Sequence, residues 1–140
     1  MELVRTHDRV VRHSLRGHGG TEVKHTGDGI MATFASVAGA VAAAIDMQRS
    51  LAQPNAASTE TSLRVRIGVS AGEPVTENDD LFGAAVQLAA RLCQRASPGS
   101  VLVSSAVRDL ALGKGFSFQK GGTVRLKGFP EAIRVFAVTW

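Results

Sequence analysis

The sequence has a single cysteine, no tyrosine, and one tryptophan, which is the last of its 140 residues. Each scarcity removes a class of protein. A lone Cys93 excludes an intrachain disulfide and a cysteine metal cluster. Its place on an apolar helical stripe predicts a structural thiol and not a reactive one, and a reducing, cytoplasmic setting is expected. The shortage of aromatics leaves little for bases to stack on, and the basic residues include no run of five. Nucleic acid is therefore not an expected partner. Long hydrophobic runs are missing too: the most apolar stretch, residues 37–45, is too short and too alanine-rich to cross a bilayer. The first twenty residues carry charges at helical spacing without an apolar targeting core, so neither a leader nor a membrane segment is expected.

What is present is an ordinary globular composition, 44% hydrophobic and 20% charged, in a length that fits one domain over 1–140. The net charge of +4 would favour a polyanion such as a nucleotide, a nucleic acid or an acidic surface. Arg5, Arg9, Arg12 and Arg16 recur at helical spacing and read as a solvated helix face.

Periodicity supplies the elements. Glu2 to Arg16 predicts a helix with Leu3, Val10, Val11 and Leu15 on one stripe and Gly17 as its stop. In EVKHTGDGIMATF, two runs of alternating polarity flank Thr26-Gly27-Asp28-Gly29, a strong hairpin signal because Asp and Gly both tolerate positive φ. Strands are expected near Thr21–His25 and Ile30–Phe34. Ser36 is the expected N-cap of a helix running to Leu51, with Val37, Val41, Ala44, Ile45 and Leu51 facing inward. Residues 53–62 read as a polar loop. Leu63, Val65, Ile67 and Val69 alternate with Arg64 and Arg66, the clearest strand pattern in the chain.

An acidic loop, TENDD, is expected before a helix in LFGAAVQLAARLCQRA, where Ala85, Val86, Ala89, Leu92, Cys93 and Ala96 form a 3.6-residue stripe. SPGSVLVSS predicts a turn and a short buried strand, then a brief helix capped by Ser105 and ending at Leu112. The tail suggests strands at Phe116–Gln119, Thr123–Leu126 and Ile133–Val138. No internal repeat is visible. The order indicates an α+β domain whose sheet is covered by helices.

Chemistry-bearing residues sit at interpretable spacings. Lys24 precedes Asp28 by four positions, on the strand leading into the turn. Asp80 precedes Gly83 by three, where the next helix is expected to begin. Gln87 and Arg91 are one turn apart on that helix, off its apolar stripe, so both leave from the same side. Lys127 stands in RLKGFPEAIRVFAV. Singly, each has a plainer reading. Lys24 can guard a strand edge, Asp80 can favour a helix start, Asp28 can simply form the turn, and the others can be surface polar groups.

Together, EVKHTGDGIMATF, LRVRIGVSAGEP, DDLFGAAVQLAARLCQRASPGSVLVSSAVRDL and LKGFPEAIRVFAV resemble the catalytic domain of class III adenylyl/guanylyl cyclases, nearest their bacterial adenylyl-type branch. The resemblance runs from about Leu3 to Phe136. It implies a ferredoxin-like core and conversion of ATP to 3′,5′-cyclic AMP and pyrophosphate, through two Mg²⁺ or Mn²⁺ ions, at sites shared by a head-to-tail homodimer. On that reading Asp28 is a metal ligand and Lys24 with Asp80 reads adenine. Arg91 stabilises the transition state beside Gln87, and Lys127 holds the triphosphate. The types suit the chemistry. Carboxylate oxygens bind dications, fixed cations answer the charge that develops on phosphate, and a lysine donor with a carboxylate acceptor matches adenine while guanine shows the reverse pattern.

Two departures accompany the resemblance. The family's first metal aspartate lies on a strand before the first long helix. Here Met1 falls within that helix, so the strand and its carboxylate are expected to be missing, the chain being an N-terminal truncation of the domain. Asp8, on a helix face between His7 and Arg9, is not an expected substitute. Gln87 also stands where the family usually has asparagine, one methylene longer. Impaired turnover is expected, and the alternative is a catalytically inactive cyclase-homology domain serving as a nucleotide-binding or dimerisation and regulatory module. A missing core strand further predicts unpaired backbone on the strands that would flank it, a cost of ~1–3 kcal/mol for each buried group.

Overall fold

The computed structural model describes residues 2–26, 29–53, 64–77 and 80–140, excepting the side chains of 2–6, 26, 76, 80 and 81. The chain divides into two compact units, residues 1–65 with Trp140, and residues 66–139.

In the first unit, α1 (Glu2–Gly17) precedes a hairpin of β1 (Gly20–Thr26) and β2 (Gly29–Phe34), followed by α2 (Val37–Leu51). The hairpin is antiparallel, with Thr26 paired to Gly29 and Lys24 to Met31, and a bulge at Val23 shifts the register between Glu22 and Lys24. Helix α2 starts where expected: the Ser36 hydroxyl accepts from the Gly39 N–H at 3.1 Å, satisfying a donor that the first turn leaves open. Val11 and Leu15 of α1 are buried, as are Val41, Ala44, Met47 and Leu51 of α2, and the two helices pack on each other. Two polar side chains of these helices are buried as well. Ser14, 1% exposed, donates its hydroxyl to Asp46 Oδ2 at 2.9 Å. Gln48, 2% exposed, donates Nε2 to the Val65 carbonyl at 2.9 Å. Ile45 and Val37, expected inside, are only half-buried, whereas Ala43, Met47 and Gln48 are buried.

The second unit contains β3 (Ile67–Val69), a hairpin of β4 (Val75–Glu77) and β5 (Asp80–Phe82), α3 (Ala84–Arg95), β6 (Val101–Ser104), α4 (Ser105–Leu110), β7 (Phe118–Val124) and β8 (Ile133–Val138). Its sheet has the order β3-β6-β8-β7, with β3 and β6 parallel and the remaining pairs antiparallel. Helix α3 packs on β3 and β6, and Leu92, fully buried, joins Val124, Leu126 and Val135 in a core bordered by Leu88, Leu102, Phe129 and Ile133.

Four expectations are corrected here. Of the strand read from residue 63, the described part is a strand only over Ile67–Val69, and the Val65 carbonyl accepts from the Gln48 side chain. Leu63 and residues 54–62 of the polar loop lie outside the described residues. TENDD is not a plain loop, since its ends form β4 and β5; Asp80 therefore opens a strand, and α3 begins only after Gly83. Ser104, not Ser105, caps α4, accepting from the Val107 N–H at 3.4 Å. The two strands expected at 116–119 and 123–126 are one strand, β7, bulged at Gly121–Gly122 where its register against β8 shifts.

Among the described residues the ladders form three separate sheets, β1-β2, β3-β6-β8-β7 and β4-β5, so β2 has β1 as its one strand partner and β3 has β6.

Candidate functional site

The sequence places Gln87 and Arg91 one turn apart, and α3 carries both toward the connection between β7 and β8. That connection leaves the sheet through buried Val124 and Leu126, which tie it to Leu92, so it is anchored to the helix from beneath. It then turns at Lys127 and Gly128. Gly128 has φ +93, a left-handed conformation that glycine adopts without strain. Its missing side chain is also used: a Cβ there would overlap the Gln87 amide nitrogen. The Arg91 Nε–H donates to the Lys127 carbonyl at 3.2 Å, and its Nη1 donates to Gln94 Oε1 at 3.1 Å. Helix and turn are thus joined by two neighbouring rungs, Gln87 over Gly128 and Arg91 on Lys127.

Lys127 is exposed and Arg91 half-buried. The Arg91 side chain borders the turn that carries Lys127. Arginine and lysine donors suit a phosphate or another multiply charged anion. Gln94 was passed over in the sequence; its spacing of three from Arg91 on one helix is the signal that marks it.

The other candidates belong to other elements. Lys24 lies half-buried on β1, next to the register shift and one residue before His25. Asp28 lies outside the described residues, between the paired ends Thr26 and Gly29. Asp80 is the first residue of β5, and its side chain is likewise outside the description.

Asp8 has a clear disposition. Its Oδ1 meets His7 Nδ1 at 3.0 Å and its Oδ2 meets His25 Nε2 at 3.3 Å, which joins α1 to β1. The His7 hydrogen bond holds its carboxyl below the ordinary value, helped by the nearby charges of His25, His7 and Arg12 and opposed by partial burial. Beside it Arg12 Nε donates to Glu22 Oε1 at 2.7 Å, and that bond lowers the Glu22 carboxyl and raises the Arg12 guanidinium. Both Asp8 oxygens are thus taken up by imidazoles. Among the described residues no group of three or more His, Cys, Asp or Glu side chains is placed to hold a metal ion. Asp28, the expected metal ligand, lies outside the described residues, and Asp8 is engaged by the two imidazoles.

Cys93 lies half-buried on α3, its thiol directed at the Arg66 carbonyl at 3.3 Å, and burial pushes it above the ordinary thiol value. A protonated thiol bonded to backbone matches the structural role expected of it.

Comparison with known proteins agrees over nearly the whole length. The family described as adenylate and guanylate cyclase catalytic domain matches residues 1–139. A Rhizobium meliloti protein carrying the provisional name adenylate cyclase 3 is 32% identical over 125 residues, which cover 88% of this chain and 21% of that protein. The structure of an adenylate/guanylate cyclase/hydrolase from Silicibacter pomeroyi superposes with a TM-score of 0.85 at 30% identity, covering 95% of this chain and 80% of that one. An adenylate cyclase structure from Trypanosoma brucei reaches a TM-score of 0.86 at 23% identity, covering 98% and 78%, and supports the fold. The chain spans from about a fifth to a third of the length of the first curated relatives it matches, 21% of one and 34% of another.

Proposed function

The chain belongs to the adenylate and guanylate cyclase catalytic-domain family and has its α+β, ferredoxin-like fold, and from that premise we propose that it is a cyclase-homology domain that binds ATP. Residues 1–140 act as one such domain of the adenylyl-type branch, completed by a second copy arranged head to tail. The observation that supports this reading is the joining of α3 to the 127–128 turn, which brings the Arg91 side chain to the backbone of Lys127. In this proposal Lys127 and Arg91 engage the phosphate chain, Gln87 steadies the turn, Lys24 and Asp80 read the adenine edge, and Asp28 contributes to a divalent ion that accompanies the nucleotide. Binding is put ahead of turnover because Asp8, the carboxylate weighed as a stand-in for a second metal ligand, is held by His7 and His25.

Calorimetric titration with ATP and Mg²⁺ tests it. A hydrogen bond to a charged group contributes about 1.5–3 kcal/mol, so Arg91→Ala and Lys127→Ala are each expected to weaken ATP binding by ~10–100-fold. Lys24→Glu with Asp80→Cys is expected to erase the preference for ATP over GTP. A chain that ignores millimolar ATP and stays monomeric at high micromolar concentration refutes the proposal. Family membership favours a second reading, conversion of ATP to cyclic AMP and pyrophosphate. Cyclic AMP formed with Mn²⁺-ATP and abolished by Asp28→Ala would establish it.

A further inference from the structure

An arginine on a helix surface ordinarily sweeps a wide arc, and a group that must meet a ligand at a fixed place gains by being held there beforehand. Arg91 is held at two points. Its Nε–H is bonded to the Lys127 carbonyl at 3.2 Å, and its Nη1 is bonded to Gln94 Oε1 at 3.1 Å. These nitrogens lie on different sides of the guanidinium fork, so one contact alone leaves the plane free to pivot and the two together fix it. The end that remains for a ligand is Nη2.

The two acceptors differ in kind. The Lys127 carbonyl belongs to a turn anchored through buried Leu126, whereas Gln94 is an exposed side chain one turn further along α3. An exposed pair three residues apart on a helix adds little to stability. Fixing the orientation of its partner is what it contributes.

We propose that Gln94 is a positioning residue for Arg91: with the Lys127 carbonyl it locks the guanidinium plane and presents Nη2 to the phosphate chain of a nucleoside triphosphate. This rests on the nucleotide-binding reading above, and the experiment separates the two. In the ¹⁵N-labelled full chain, the Arg91 Nε–H resonance is assigned by its loss in Arg91→Lys, and its hydrogen exchange is measured beside ATP affinity and melting temperature. Gln94→Ala is expected to speed Arg91 exchange and to weaken ATP binding by ~3–10-fold. Adenosine affinity and the melting temperature stay unchanged. Gln94→Glu, which keeps an acceptor oxygen, restores slow exchange. In an Arg91→Ala background, Gln94→Ala has no further effect on ATP affinity, because its influence travels through the arginine.

Unchanged exchange and unchanged affinity in Gln94→Ala overturn the proposal, as does an equal loss of affinity in the Arg91→Ala background. An unsubstituted chain that fails to bind ATP, while its Arg91 exchange still responds to Gln94, overturns the nucleotide reading and upholds the positioning.

Discussion

Gly68→Ala probes the contact on which the candidate site is built. Gly68 is the middle residue of β3, where the backbone of α3 lies directly against the strand. A Cβ at this position overlaps the Cys93 nitrogen and the Ala89 oxygen and comes within 2.9 Å of the Leu92 carbonyl carbon, all of them backbone atoms. Backbone in mid-helix cannot rotate aside, so α3 must retreat from β3 by roughly 1 Å to recover ordinary contact. That retreat lifts Leu92 from Val124, Leu126 and Val135 and draws Arg91 off the Lys127 carbonyl. Overpacking costs ~1–3 kcal/mol, and partial uncovering of Leu92 adds ~1 kcal/mol. With a total of about 3 kcal/mol and roughly 3–5 °C per kcal/mol for a chain of this size, the melting temperature should fall by ~10–15 °C. Gly128→Ala is the internal comparison. Its φ of +93 costs a side chain ~1–3 kcal/mol, but the atom in the way is the free end of the Gln87 amide, which can swing clear. It should lose about half as much. Thermal melts followed by circular dichroism decide between them. A loss under ~3 °C for Gly68→Ala, or a larger loss for Gly128→Ala, would refute the idea that helix backbone sits on β3.

The remaining expectations are simpler. Asp8 and Glu22 both hold their protons less tightly than ordinary carboxylates, through His7 and Arg12 respectively. Their contribution to stability is therefore fully present above the usual carboxylate range, near pH 4–4.5, and is lost as pH falls below it. Asp8→Asn should make the decline in melting temperature between about pH 5 and 3 shallower, and an unaltered slope would contradict the His7–Asp8–His25 arrangement. Cys93, with its thiol bonded to the Arg66 carbonyl and raised by burial, should react with a disulfide reagent at pH 8 at least about tenfold more slowly than free cysteine. Ser36→Ala removes the cap of α2 and should cost ~1 kcal/mol in urea unfolding.

The hairpin and the long helices were legible because their signals are local. Thr26-Gly27-Asp28-Gly29 favours reversal at that point whatever surrounds it, and Ser36 caps the helix that follows with its own hydroxyl. The stripe through Leu92 identified the buried side of α3, and the same spacing correctly put Gln87 and Arg91 on a common side, from which both reach the 127–128 turn. Local signals misled where pairing partners decided the outcome. The alternation from Leu63 to Val69 promised a long strand, yet β6 offers a ladder only from Val101 to Val103, and β3 accordingly extends only from Ile67 to Val69. Glycines at 121 and 122 looked like a break between two strands, yet β8 continues past them and turns the break into a bulge. TENDD looked like loop because its acidity hides two short strands that are held by each other.

The sequence by itself determined the family, the α+β class and the residue types present at the candidate site, since these reside in local pattern and in the order of motifs along the chain. Only the tertiary structure decided that Arg91 is held by the Lys127 carbonyl and Gln94, that Asp8 is taken by two histidines, and that Gly68 must stay bare beneath α3. Each of these depends on the distance between segments remote in sequence or on the rotamer of one side chain, and a one-dimensional pattern encodes neither until packing fixes them.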